Sequence, residues 1–373
     1  MTRPAIPFYR PSFPAAVRGR ITADIEAILA GGTLMMGPYK DRLERGFAEL
    51  CGTRHAVSVN SCTTAILISL MHFKAAGGEV LVPAGSFVTD VGAVMMAGAT
   101  PVLVDIDPET LALDLDDLAR KLTPRTRGII WVHLAGVIAS NWREIRRFAT
   151  DNGLFLIEDA AHAHGAEIDG HTAGSLGDVG VFSFYPTKVV TGGTGGMLTT
   201  DDEALKLFAE RVRMFGKDPA SGDIVELGND WFLDEIRACV TWHHLQDLPR
   251  QLAHRRALAA RYDAALANQP GIRVLPLPEN CRPSFYHYVT LLDPSVDYDA
   301  IAGTLQQRHG IATKRIYRPL HHEPLFRHLD DGRLRMTEST LSRSLCLPMF
   351  ADMPLDDADR VAAALIEALR ARQ

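Results

Sequence analysis

Surplus positive charge, paired cysteines and long apolar runs are all missing from this sequence of 373 residues. Lysine and arginine total 39 against 45 aspartates and glutamates, a formal net charge of −6. That balance offers no electrostatic footprint for nucleic acid or for an anionic membrane. The 5 cysteines (Cys51, Cys62, Cys239, Cys281 and Cys346) are odd in number, widely separated and never spaced CxxC. A disulfide framework or zinc ribbon is thereby disfavoured, and a reducing compartment is expected. No stretch approaches the roughly 18 apolar residues of a membrane span. The opening MTRPAIPFYRPSFP is broken by prolines and lacks the apolar centre of a signal peptide. The expectation is a soluble cytoplasmic protein with no membrane or nucleic-acid partner.

What is present is globular: 47% hydrophobic and 23% charged residues, in a length that suggests two domains at roughly 150 residues each. No internal repeat or low-complexity tract interrupts it. Short apolar runs at 55–60, 79–83, 101–106, 128–134, 153–158, 180–185 and 195–200 read as strands. Several are nearly continuous, as in strands covered on both faces. Helix-length segments at 63–76, 87–98, 114–121 and 141–152 separate them. This alternation predicts an α/β fold with a mostly parallel sheet wrapped by helices. From about 230 the texture changes. A helical stretch from Trp231 to Leu248 meets Pro249, and a second helical run covers 250–267. The rest reads as a smaller α+β unit with strands near 285–292 and 311–316 and a final helix, LDDADRVAAALIEALRA. That helix opens acidic and closes basic, matching its dipole. The expected division is a large α/β domain with an N-terminal arm over 1–248, then a helical connector and small domain over 249–373.

Ligands of open α/β sheets gather beyond the carboxyl ends of the strands, and three such exits carry chemistry. At Asn60-Ser61-Cys62-Thr63-Thr64 a strand gives way to a helix. Its free amides and hydroxyls suit a phosphate, although Ser and Thr there also serve as plain N-caps. At Glu158-Asp159-Ala160-Ala161-His162-Ala163-His164 a strand runs into carboxylates and imidazoles. Alternation sends Glu158 and Asp159 to opposite faces, so one of them faces a given site. His162 and His164 lack a third ligand at zinc spacing, and no metal is expected. At Ser183-Phe184-Tyr185-Pro186-Thr187-Lys188 a lysine stands among aromatic and apolar residues, followed by Gly192, Gly193, Gly195 and Gly196. A surface loop would account for it. Burial instead would lower its pKa, as a Schiff-base lysine requires. A phosphate cradle, a carboxylate and a sheltered lysine in that order are the parts pyridoxal 5'-phosphate needs.

The stretches IEDAAHAHGA, GDVGVFSFYPTK and VPAGSFV resemble the DegT/DnrJ/EryC1/StrS sugar aminotransferases of PLP-dependent fold type I. VHLAG at 132–136 and PLHHEP at 319–324 extend the resemblance from about Met36 to the SLCLP stretch at 344–348. It implies the aspartate aminotransferase-like fold: a large domain with a mostly parallel sheet and a smaller C-terminal α+β domain. It also implies that Lys188 forms the internal aldimine, that Asp159 pairs with the pyridinium nitrogen and that His162 contacts the ring oxygen. Phe87 would stack on the ring, and Cys62, Thr63 and Ser183 would contact the phosphate. His321 or His322 would lie near the sugar.

Departures from the family pattern are confined. Ser61-Cys62-Thr63 replaces Ser-Gly-Thr, and Gly193-Thr194-Gly195-Gly196 replaces Gly-Glu-Gly-Gly. In Gly228-Asn229-Asp230-Trp231-Phe232, Asp230 takes the place of an asparagine that reaches the neighbouring subunit's cofactor phosphate, with Asn229 beside it, and Phe232 replaces an arginine. The expected activity is amino transfer from L-glutamate or L-glutamine to a keto-sugar, nucleotide-linked, in a homodimer with shared sites. The cofactor would alternate with pyridoxamine 5'-phosphate. Competing readings are a cyclitol-ketone aminotransferase, a sugar dehydratase (in which histidine replaces the lysine) and a non-catalytic protein of the same fold.

Overall fold

The computed structural model describes residues 4–371; residues 1–3 of the expected arm and 372–373 lie outside them. Seven strands form the central sheet in the order His55–Val59, Gly196–Thr200, Val179–Ser183, Phe155–Asp159, Thr126–Val132, Glu79–Pro83, Thr100–Val104. Pairing is parallel throughout except at Gly196–Thr200, which runs antiparallel to both neighbours. The strands Glu79–Pro83, Phe155–Asp159, Val179–Ser183 and Gly196–Thr200 are buried at every residue. This is the signature of a sheet packed on both faces, and it explains why those segments read as continuous apolar runs rather than alternating ones.

Apolar cores lie on both sides of the sheet. One joins Val80, Val82, Ile130 and Ile157 to residues of the C-terminal part, including Val289, Ile316, Leu320 and Cys346. The other joins Leu81, Ile129 and Leu156 to Phe47, Phe182 and Phe184. Adjacent strand residues thus feed different cores, as a period of two requires. Helix starts are fixed by acidic or hydroxyl caps: Asp114 accepts from the Asp117 amide at 2.7 Å, Asp202 from Ala204 at 2.8 Å and Asp234 from Arg237 at 2.9 Å.

Two later expectations change. Pro249 stands in the first turn of the helix Leu248–Leu266, directly after the helix Glu235–Gln246. It opens one helix more than it breaks another, because the first turn needs no proline N–H. Residues 311–316 are not a strand. Ile311 bridges Ile6 and Lys314 bridges Cys346, but the Ile316 amide donates to the Ser344 hydroxyl at 3.0 Å instead of a ladder carbonyl. The small sheet is completed by Ser344–Leu347, in the order Ile272–Val274, Tyr288–Leu292, Ser344–Leu347. Among the described residues no helix is long and apolar enough to cross a membrane.

Candidate active site

A cavity of about 470 Å³ opens where the ends of the strands His55–Val59, Phe155–Asp159 and Val179–Ser183 converge. Its lining includes Cys62, Thr63, Phe87, Asp159, His162, Ser183 and Lys188, so residues from all three exits meet there. A smaller cavity of about 190 Å³ is lined by Leu134, Phe285 and His287 among others.

The helix Cys62–His72 begins at the first exit. Its cap is Ser61, whose hydroxyl accepts from the Thr64 amide at 3.1 Å and meets the Thr64 hydroxyl at 2.9 Å. Thr64 in turn donates to Asn60 at 2.7 Å. The hydroxyls of Ser61 and Thr64 are thus engaged in capping, as the plain cap reading has it. The amides of Cys62 and Thr63, at the first two helical positions, have no intrahelical partner and stand at the positive end of the helix dipole. Gly196 presses on this turn: a Cβ there would come within 2.5 Å of the Cys62 nitrogen.

Register positions the two carboxylates of the second exit. Glu158 is fully buried on the face away from the cavity. It accepts from His133 Nε2 and the Gly174 amide at 2.6 Å each, from Leu176 at 2.8 Å and from Gly177 at 3.1 Å. Asp159 ends the strand on the opposite face and lines the cavity. It accepts from the Ala161 amide at 2.8 Å. Burial raises its pKa against the opposing pull of that amide and of Lys188. His162 is held between the Tyr286 ring, stacked 4.0 Å away, and the Tyr317 hydroxyl, 2.9 Å from its Nε2. Burial drives the His162 pKa well below its usual value, so the imidazole is neutral. Its Nδ1 is buried without a hydrogen-bond partner among the described residues.

Lys188 follows the strand Val179–Ser183 through a turn in which its amide donates to the Tyr185 carbonyl at 2.9 Å. The ammonium lies 4.7 Å from the centre of the Tyr286 ring. Its remaining exposed surface faces the cavity, while the dense packing around it lowers its pKa to about 8 through desolvation, against the pull of Asp159. It enters no ion pair among the described residues. Phe87, at the mouth, is 47% exposed and its ring stands 5.6 Å from that of Tyr317.

Other singled-out residues lie elsewhere in this chain. Asn229 and Asp230 are exposed and outside the cavity lining, with the Asp230 amide donating to the Asn229 side chain at 2.9 Å. His321 and His322 are also outside it: their Nε2 atoms lie 3.2 and 3.1 Å from Glu338 Oε1. No shared wall joins this cluster to the cavity. Sequence reasoning missed Tyr286, Lys314 and Tyr317, which close the cavity from the C-terminal part. No local motif marks them; they arrive through tertiary packing. Asp90 was also missed, although it stands three residues beyond the singled-out Phe87.

A neutral imidazole, an isolated amine and unspent helix amides on one concave wall suit the polar atoms of pyridoxal phosphate. Comparison with known proteins agrees. A GDP-perosamine synthase of Caulobacter vibrioides is 34% identical over 339 residues, covering 90% of this chain and 91% of that protein. The S. venezuelae DesV structure, in complex with a ketimine intermediate, superimposes with a TM-score of 0.92 at 32% identity, covering 98% of this chain and 99% of DesV. DesI, solved in the presence of its TDP-sugar product, gives 0.90 at 31% identity, with coverages of 99% and 94%. The two solved structures share the mostly parallel α/β architecture across nearly the whole chain. The DegT/DnrJ/EryC1/StrS aminotransferase family matches residues 16–366, and this chain belongs to that family of PLP-dependent aminotransferases.

Proposed function

We propose that the protein transfers an amino group from L-glutamate or L-glutamine to a nucleotide-linked keto-sugar, using pyridoxal phosphate held in the 470 Å³ cavity. One observation carries this reading: Lys188, Asp159 and the first turn of the helix Cys62–His72 converge on a single wall. The names of the relatives, a GDP-perosamine synthase and a DesI solved with its TDP-sugar product, support a nucleotide-linked sugar as acceptor.

When bound, the cofactor supplies an electron sink for the carbon that loses its proton. The remaining work falls to side chains. The Cys62 and Thr63 amides, with Thr63 and Ser183, would bind the phosphate. Asp159 would hold a proton on the ring nitrogen. His162, neutral and with Nδ1 free, would meet the ring oxygen, and Phe87 would cover the ring face. With a pKa near 8, Lys188 offers an appreciable fraction of free amine at neutral pH, both to attach the cofactor and to carry a proton between reacting carbons. Tyr286 and Tyr317 would limit water around that amine. Lys314 lines the same cavity, stacks on Phe8 and enters no ion pair among the described residues. It would bind an anionic part of the substrate, a role left open by Phe232. No role for His321 or His322 at the sugar draws support from their placement with Glu338.

The active form in this reading is a cytoplasmic homodimer. Exposed Phe215, Ile224, Val225 and Leu227, with Leu227 at 85%, flank Asn229 and Asp230 on a surface that another subunit would cover. The reading also keeps a division near residue 248 between cofactor-binding and small domains. Retention of Lys188 opposes the dehydratase variant.

Lys188→Ala tests the mechanism: it should abolish both the visible absorbance of added pyridoxal phosphate and all amino transfer. Loading the protein with pyridoxamine phosphate and adding nucleotide-linked keto-sugars, free keto-sugars or cyclitol ketones identifies the acceptor by return of that absorbance. A response to cyclitol ketones alone would replace the sugar reading.

A further inference from the structure

Asp90 is fully buried, and neither of its carboxyl oxygens finds a donor among the described residues. It lies in the first turn of the helix Val88–Met96, three residues beyond Phe87. The Ser86 hydroxyl stands beside it without closing an aligned hydrogen bond. The polar group it meets is the carboxyl of Asp159, with the two side chains in hydrogen-bonding contact. Lys188, Cys62 and Tyr317 line the same cavity as Asp159.

Two carboxylates in contact and out of water cannot both stay ionised; one keeps a proton and donates it to the other. Which one keeps it follows from their partners. Asp159 has the Ala161 amide at 2.8 Å and the attraction of Lys188 to support an anion. Asp90 has a weaker attraction to Lys188, and burial together with its neighbour's charge raises its pKa well above the usual carboxylate range. The dipole of the helix Val88–Met96 favours an anion by about 2 kcal/mol at most, less than the cost of an unpaired buried charge.

We propose that Asp90 is a positioning residue, present as a neutral carboxylic acid whose O–H donates to Asp159 and keeps that carboxylate ionised and aimed at the cofactor's ring nitrogen. The last part rests on the role given to Asp159 under Proposed function; the shared proton does not. Asp90 touches no substrate, since it is absent from the cavity lining. Its effect passes through Asp159. An alanine at 90 would remove the proton donor without touching the lysine chemistry, whereas asparagine would keep a donor of nearly the same shape.

Infrared spectroscopy of the apoprotein tests the proton directly. Near neutral pH the wild type should show the carbonyl stretch of a protonated carboxylic acid, and Asp90→Asn should lose it. Titration of the apoproteins with pyridoxal phosphate tests the consequence. Asp90→Asn should bind within about twofold of wild type and keep the pH profile of the visible band. Asp90→Ala should bind about tenfold or more weakly, the loss expected for one hydrogen bond to a charged group, and its visible band should change with pH. Absence of the acid stretch in wild type overturns the proposal. So does equal weakening by asparagine and alanine, which would mark a packing role. If pyridoxal phosphate binds to none of the proteins while the acid stretch is present, the shared proton stands and the cofactor reading fails.

Discussion

Glu158→Gln removes one charge and almost no volume, and it should be among the more damaging single changes in the sheet. The carboxylate collects four donors: His133 Nε2 and the Gly174 amide on one oxygen, the Leu176 and Gly177 amides on the other. Glutamine offers one acceptor oxygen and one NH₂. With the NH₂ toward Leu176 and Gly177, two buried amides face a donor. Turned the other way it faces the Gly174 amide, while His133 must move its proton to Nδ1, which has no partner among the described residues. At least one buried N–H is therefore stranded, costing about 1–3 kcal/mol. The surviving bonds lose their charge assistance at about 1 kcal/mol each. The sum is about 4 kcal/mol, or a urea midpoint lower by about 1 M for a slope near 3 kcal/mol per M. Equilibrium unfolding of the apoprotein followed by circular dichroism measures it. A transition overlaying wild type, within about 1 kcal/mol, would refute the reasoning. Asp159→Asn, one residue on, should leave that transition nearly in place and act on cofactor binding.

Capture of pyridoxal phosphate by the apoprotein should quicken as pH rises and level off above about 8, because the Lys188 ammonium must lose its proton and its pKa is lowered to about 8; a stopped-flow rate still climbing toward pH 10 would show an ordinary lysine. Gly196→Ala should weaken cofactor affinity at least tenfold by spectral titration, since its Cβ would stand 2.5 Å from the Cys62 nitrogen and push the first helical turn aside. Unchanged affinity would mean that this turn holds no phosphate. Lys314→Met should raise KM for the anionic substrate several-fold with little change in kcat, the pattern of lost uniform binding; an unaltered KM for both donor and acceptor would remove Lys314 from recognition.

The sheet and the cavity wall formed by its strand exits were legible in the sequence for a common reason: both are local. A strand buried on both faces leaves a continuous apolar run, and the strand ends at Val59, Asp159 and Ser183 fall within a residue or two of where those runs stop. Alternation alone separated Glu158 from Asp159. The roof was not legible. Tyr286, Lys314 and Tyr317 reach the cavity through packing of distant segments, and nothing in their neighbourhoods differs from ordinary core or loop. The segment 311–316 reads as a strand of the small domain, yet one serine hydroxyl, that of Ser344, takes the amide the ladder needed. His321 and His322 were drawn toward substrate by family resemblance, while in this chain both turn to Glu338.

The floor of the cavity is written before residue 200 and its cover after residue 280. A growing polypeptide therefore exposes its reactive amine to the cell well before the tyrosines that shelter it have been synthesised. Until then that amine sits in water, protonated and slow to react. Only when the last quarter of the chain folds over it is that amine drawn out of water.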